Sequence, residues 1–261
     1  MSVWLTIPSA RPPEEAEKVL RLYRERGYKI ALWRDDMSFP YGIIDYLRAD
    51  PVYPGYASAV NALIVDVATT DHTAEWFVIG GDDVLPDPNK SADEIARECR
   101  AHFIREKLDF LKSEEEQPTD AVATFGVMQP TGDHWGENPN HARPDMRSAY
   151  IDRVAGSAWI GREFARRAYG GQGPLFPGYQ HMFVDEELRH VAIKLGVYWE
   201  RRDLTHYHAH ASRTHGYSHT SDCPEHLKKW TVGEAGVKHW KESEALFFDR
   251  RGKGFPGHEL L

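Results

Sequence analysis

An α/β fold, with strands and helices alternating along most of the chain, is what the sequence predicts. One observation behind it is a β-α-β opening within residues 3–33, and another is a compact apolar run, Trp76-Phe77-Val78-Ile79, that stops on Gly80-Gly81. The third is length and composition: 261 positions with 41% hydrophobic and 28% charged residues suit a folded globular chain, enough for one large α/β domain with a full core or for two small ones.

Within the opening, residues 3–7 form a short apolar segment closed by Pro8, which suits a first strand. Pro12-Pro13-Glu14-Glu15 then puts proline and acids where a helix start accepts them, and Ala16, Val19, Leu20 and Tyr23 recur at helical spacing until Gly27. Residues 28–33 read as the second strand, with Arg34-Asp35-Asp36 beyond its end. Over 56–68 the positions Val60, Leu63, Ile64 and Val67 mark one helical face, with Asn61 among them. The run at 76–79 reads as a buried central strand whose end carries Asp82 and Asp83, and ligands gather at the carboxyl ends of strands in open α/β sheets.

Further along, a long helical pattern covers 91–111, a polar and acidic linker 113–119, and another strand 121–127. Residues 131–146 are rich in Gly, Pro, Asn and His, as in a long loop beside a site. A short helix starts near Gly161, and a glycine-rich loop spans 170–178. Leu188, Val191, Ala192 and Leu195 share a face and predict a helix over 185–195. A strand at 197–199 leads to His206, His208 and His210, and beyond Thr214 the pattern weakens to polar turns and one helix near Trp240. There is no internal repeat.

The formal charge of -8, without a long Lys/Arg run, argues against nucleic acid as the main partner. Two cysteines, Cys99 and Cys223, suit a reducing compartment rather than a disulfide framework. No basic stretch followed by an apolar region opens the chain, and no apolar run approaches the roughly 18 residues of a membrane span. The expectation is a cytoplasmic protein.

Chemistry concentrates in three segments. Asp82 and Asp83, on a glycine turn after a buried strand, are hard oxygen ligands for Mg2+ or Mn2+, and the glycines let a diphosphate approach the backbone. Taken alone the pair is weak evidence, because acids favour turns in any protein. Phe183-Val184-Asp185-Glu186-Glu187 supplies further carboxylates at a helix start, where they either complement the helix dipole or accept a proton from an attacking hydroxyl. In Thr205-His206-Tyr207-His208-Ala209-His210 the imidazoles alternate along an extended segment, and five of the 14 histidines fall between His206 and His219. Imidazole suits Mn2+ and would complete a carboxylate and diphosphate site; zinc is the competing metal, but no cysteine pair lies nearby.

The order of these segments resembles the GT-A glycosyltransferases, in particular family 2-like enzymes of bacteria and phages, over roughly residues 3–212. Gly81-Asp82-Asp83 is similar to the family's DxD region, Gly156-Ser157-Ala158-Trp159 to its acceptor-side Gly-Ser loop, Val184-Asp185 to its Glu-Asp pair and His208-Ala209-His210 to its His-x-His ending. The resemblance implies a Rossmann-like mixed sheet flanked by helices over 1–212 and a C-terminal extension, 213–261, packed on that core. It implies a metal-dependent transfer from a nucleotide-sugar, a UDP-sugar as first choice, to an acceptor hydroxyl with inversion. Asp185 would be the base, with Glu186 its rival because Val184 stands where the family has glutamate. Asp82, Asp83, His208 and His210 would serve Mn2+ or Mg2+. Pro8, Ser9, Arg11, Asp35, Asp36, Asn61 and Asp82 would hold the nucleotide, joined by Gly156, Ser157 and Trp159 on the acceptor-side loop. The competing readings are a GT-A-like nucleotidyltransferase and a metal-dependent carbohydrate-binding module. The acceptor, whether glycan, protein, small glycoside or modified DNA base, stays open.

Overall fold

The computed structural model describes residues 1–35, 41–110, 123–210, 213 and 233–258. Its centre is a seven-stranded sheet in the order β3-β2-β1-β4-β7-β6-β8. These are β1 (Ser2–Pro8), β2 (Lys29–Arg34), β3 (Tyr46–Ala49), β4 (Ala74–Val78), β6 (Val127–Pro130), β7 (Trp159–Gly161) and β8 (Tyr198–Arg201). The pairs among β3, β2, β1 and β4 are parallel; β7 runs antiparallel to β4 and β6, and β8 is parallel to β6. The α/β class and mixed sheet are those expected.

β1 and β2 are apolar on both faces because helices cover both. Along β1 and β4, Val3, Leu5, Ile7, Trp76 and Val78 point to one layer while Trp4 and Phe77 point to the other, the alternation a pleated strand imposes. The first layer is filled by α1 (Pro13–Glu25) and α3 (Ala92–Phe110), through Ala16, Leu20, Tyr23, Ile95 and Phe103. The second holds α2 (Tyr56–Thr70), α4 (Arg162–Arg167), α5 (Val184–Lys194) and, through Phe247, α6 (Gly233–Gly252). Helix α1 starts as its sequence dictates, with Pro13 in the first turn followed by Glu14 and Glu15, and a chain reversal at Gly27 (φ +86°) ends it.

Several expectations need correction. The strand expected at 121–127 runs instead over Val127–Pro130, because its register is set by β8, with Val127 opposite Tyr198 and Pro130 opposite Arg201. Residues 121–122, the linker at 113–119 and Cys223 lie outside the described residues. Strands β3, β5 (Val84–Leu85) and β7 were not anticipated as strands; two to four residues carry no readable period, and only their partners make them strands, whereas β9 (Tyr207–His208) falls in the segment read as extended. Among the described residues no helix is long and apolar enough to cross a membrane. Cys99 is a free, buried thiol whose pKa burial pushes up.

Asn61 has a structural duty. It is 4% exposed, its Nδ2 donates to the Leu175 carbonyl at 2.6 Å and its Oδ1 accepts from the Leu175 N–H at 3.0 Å. It thereby fastens the glycine-rich loop to α2. Asn61→Ala should leave both Leu175 backbone groups unpaired and lower unfolding stability by about 1–3 kcal/mol, read as a lower urea midpoint. Ligand binding in the cavity described below should be unchanged.

Candidate active site

In the strand order 2-1-4 the connections from β1 and β4 leave in different directions, which opens a crevice at their carboxyl ends. Pro8 and Ser9 stand at one lip, and Gly80 to Asp83 at the other. Gly80 adopts φ +154°, which disfavours a side chain, and its carbonyl accepts the Tyr56 hydroxyl at 3.1 Å. The turn is therefore held from α2.

The two aspartates of this turn face different partners. Asp82, 8% exposed, accepts the Ser9 hydroxyl at 2.5 Å and Arg11 Nε at 2.7 Å. Asp83 stands 3.4 Å from His208 Nε2 and 3.7 Å from the Arg11 guanidinium. Burial alone would raise the Asp83 carboxyl, but the hydrogen bond and charge of His208, with Arg11 and His210, outweigh it and hold it below the usual carboxylate range. It is ionised at neutral pH.

His208 reaches Asp83 through a second, two-stranded sheet. Val84 of β5 pairs with His208 of β9, Leu85 pairs with Tyr207, and the Ala209 N–H donates to the Asp83 carbonyl at 2.7 Å. Two buried carboxylates hold the returning strand. Asp87 accepts the Thr205 N–H at 2.8 Å, and Asp133 accepts the His208 N–H at 3.0 Å while pairing with Arg213. Trp135 stacks on His210 at 5.3 Å and meets His208 edge-on at 5.6 Å. His206 is buried against Tyr23, and burial lowers its imidazole to about 4 against the pull of Asp87, so it stays neutral.

Asp185 and Glu186 approach from α5. The Ala155 N–H donates to the Asp185 carbonyl at 3.2 Å, and a Cβ at Gly156 would stand 3.3 Å from Asp185 Oδ2, so the 155–157 backbone lies close against this carboxylate. Ser157 is fixed by Gln129, whose Nε2 donates to the Ser157 hydroxyl at 2.9 Å. Burial, then the charge and hydrogen bond of Asp185, push the Glu186 carboxyl up to about 10. Glu186 is thus a neutral acid at pH 7.

These groups border one cavity of about 680 Å3. Of the residues singled out from sequence, Pro8, Ser9, Arg11 and Asp35 line it, as do Asp82, Asp83, Gly156 and Ser157, and Asp185, Glu186, His208 and His210. Asp36 lies outside the described residues. Two do not reach it. Asn61 clamps Leu175, and Trp159 is a fully buried residue of β7 packed edge-on against Tyr28 at 5.5 Å. Nor is the Asp82-Asp83 turn a solvated one. Sequence reasoning missed the aromatic wall of Trp33, Tyr53, Tyr56, Trp135, Tyr150 and Trp240. Tyr53-Pro54-Gly55-Tyr56, two aromatics around a turn dipeptide, was the available signal.

Among the described residues no group of three or more His, Cys, Asp or Glu converges as a metal site. The pair Asp83 Oδ1 and His208 Nε2, at 3.4 Å, does suit neighbouring ligands of one cation, since two ligands of an octahedral ion stand about 3 Å apart at bonds of about 2.1 Å. It would offer two protein donors to such a cation. Both Asp82 oxygens are already engaged.

No family model matches the chain. No curated protein matches it in sequence. Among solved structures it is similar to the crystal structure of a glycosyltransferase involved in the glycosylation of the major capsid of PBCV-1, at 11% identity and a TM-score of 0.38, over 77% of this chain and 82% of that one.

The raised Glu186 carboxyl makes folding stability depend on pH. Its folded pKa lies above the unfolded value of about 4.3, so between the two the native state holds a proton that the unfolded chain has released. Folding stability should therefore fall as pH rises from about 4.3 towards 10, by up to about 1.4 kcal/mol per pH unit. Glu186→Gln removes the titration, so its stability relative to the native protein should rise with pH in parallel denaturation series at pH 4.5 and 8.

Proposed function

We propose that this chain is a metal-dependent GT-A glycosyltransferase that moves a sugar from a nucleotide-sugar to an acceptor hydroxyl with inversion. The observation that carries the reading is the convergence on one cavity of an ionised Asp83 paired with His208 and of Asp185 beside a neutral Glu186. One pair suits a cation and diphosphate, the other suits proton removal.

In this reading Pro8, Ser9 and Asp35, at the ends of β1 and β2, receive the nucleoside, and Arg11 faces the diphosphate. Asp82 keeps Arg11 and Ser9 in register rather than binding metal. A divalent cation, Mn2+ or Mg2+, held by Asp83 and His208 would supply the positive charge that a departing nucleoside diphosphate needs. Asp185 accepts the proton of the acceptor hydroxyl as it attacks the sugar carbon. In this reading Glu186 is the poorer base at neutral pH, because burial and the neighbouring Asp185 charge favour its protonated form, and this supports Asp185 as the base. The aromatic wall turns flat apolar surfaces towards base and sugar.

A thermal-shift series with nucleoside diphosphates, with and without Mn2+, tests the donor half. UDP should raise the melting temperature only when Mn2+ is present, because a ligand that binds the native state stabilises it. Asp83→Asn and His208→Ala should weaken that shift, and stabilisation by no nucleoside diphosphate would overturn the reading. Asp185→Asn should keep the shift while turnover of the nucleotide-sugar drops about 10²- to 10⁴-fold, the usual worth of a general base. A full rate in that variant would remove Asp185 from the chemistry.

A further inference from the structure

Glu187 follows the two cavity carboxyls yet takes no part in the site. Two positions on from Asp185, it points about 200° away around the helix, into the protein, and is 1% exposed. Its carboxylate accepts the Tyr169 hydroxyl at 2.6 Å and the Tyr179 hydroxyl at 2.8 Å. Arg250 of α6 closes the set as a fork, with Nε 2.8 Å from Oε2 and an Nη 2.7 Å from Oε1.

The same guanidinium donates to the Pro256 carbonyl at 2.8 Å and lies over the Phe176 ring at 3.3 Å. One carboxylate thus gathers α6, the 168–171 turn and the 176–183 loop onto the first turn of α5. A buried ion pair is poor evidence of stability, because desolvation offsets its attraction. A fully satisfied polar network does fix one geometry.

The geometry at stake is that of the cavity carboxyls. Phe183, just before α5, has φ +69°, a left-handed conformation that a bulky residue keeps only where its surroundings hold it. Tyr179, Gln180 and Glu187 do the holding. Gln180 receives the Tyr56 N–H at 2.7 Å, and the Glu187 N–H donates to the Phe183 carbonyl at 3.1 Å. Trp240 of α6 packs edge-on against the Phe183 ring at 5.1 Å and lines the cavity as well.

We propose that the Glu187–Arg250 fork is the positioning device of the active site: α6, through Arg250, fixes the first turn of α5 and so the aim of Asp185 and Glu186. The C-terminal helix then belongs to the catalytic body rather than to a dispensable extension. The catalytic part of this statement rests on Asp185 being the base; the positioning part does not.

Arg250→Lys tests it, because lysine retains the charge beside Glu187 but cannot form the fork. Two readouts apply: nucleotide-sugar turnover, and carboxyl titration by NMR of Asp185 and Glu186, whose surroundings also include His181 and Tyr56. In folded Arg250→Lys the high-pH titration of Glu186 should fall by more than about one pH unit as water reaches it. Turnover should fall about 10- to 100-fold at unchanged donor KM and unchanged UDP and Mn2+ stabilisation. A folded variant with native titration and native kcat would overturn the proposal, as would a rate loss matched by an equal loss of nucleotide affinity. If the native protein turns over no nucleotide-sugar, the proposed function fails by itself and the titration alone decides the positioning. Should Arg250→Lys not fold, Tyr179→Phe, which removes one hydroxyl from the same carboxylate, is read in the same way: a smaller downward titration shift supports the proposal and a native titration overturns it.

Discussion

The short pairing of Val84 with His208 is the constraint on which the rest of the site depends. It joins the turn that follows a central strand to a segment more than a hundred residues later, and without it Asp83 would face only Arg11. Two residues of ladder are weak by themselves. The junction holds because neighbouring groups share the load: the Ala209 N–H on the Asp83 carbonyl, and buried Asp87 and Asp133 accepting backbone N–H groups from the returning chain. Each of these two carboxylates has a backbone partner, and the Asp83 side chain faces His208 and Arg11.

Electrostatics then separates acids that would otherwise look alike. Asp83 and Glu186 border the same cavity, and burial raises the pKa of both. Asp83 has His208, His210 and Arg11 to reverse that effect, whereas the nearest charge to Glu186 is the like charge of Asp185. One acid is driven to ionise and the other to keep its proton. A cavity with both kinds of carboxyl can attract a cationic centre at one place and manage a proton at another. Arg11 serves both aspartates of the turn, since it is tied to Asp82 and stands 3.7 Å from Asp83.

Much of the fold was legible in the chain. The β-α-β opening, the buried run before Gly80, the helix with Leu188 and Val191 on one face and the helix around Trp240 all come from local periodicity and turn chemistry, which do not depend on distant partners. The segments Asp82-Asp83, Asp185-Glu186 and His208-His210, which border one cavity, stood out as well, because charged groups at strand and helix ends are exceptions to an apolar pattern. The short strands β5 and β7 were not, for two residues such as Val84 and Leu85 have no period.

The sequence by itself determined the layer architecture and which segments carry acids and imidazoles, because hydrophobic spacing and helix-start chemistry act over a few residues. Only the tertiary structure decided what each of those groups touches. It sent Asn61 to the Leu175 backbone and Trp159 into the core, turned Asp82 to Arg11 and Asp83 to His208, and set Glu187 against Arg250, 63 residues away. The physical reason is that burial and partner charge, which fix whether a carboxyl is ionised and what it can bind, are properties of three-dimensional neighbours, and a residue's sequence neighbours do not specify them.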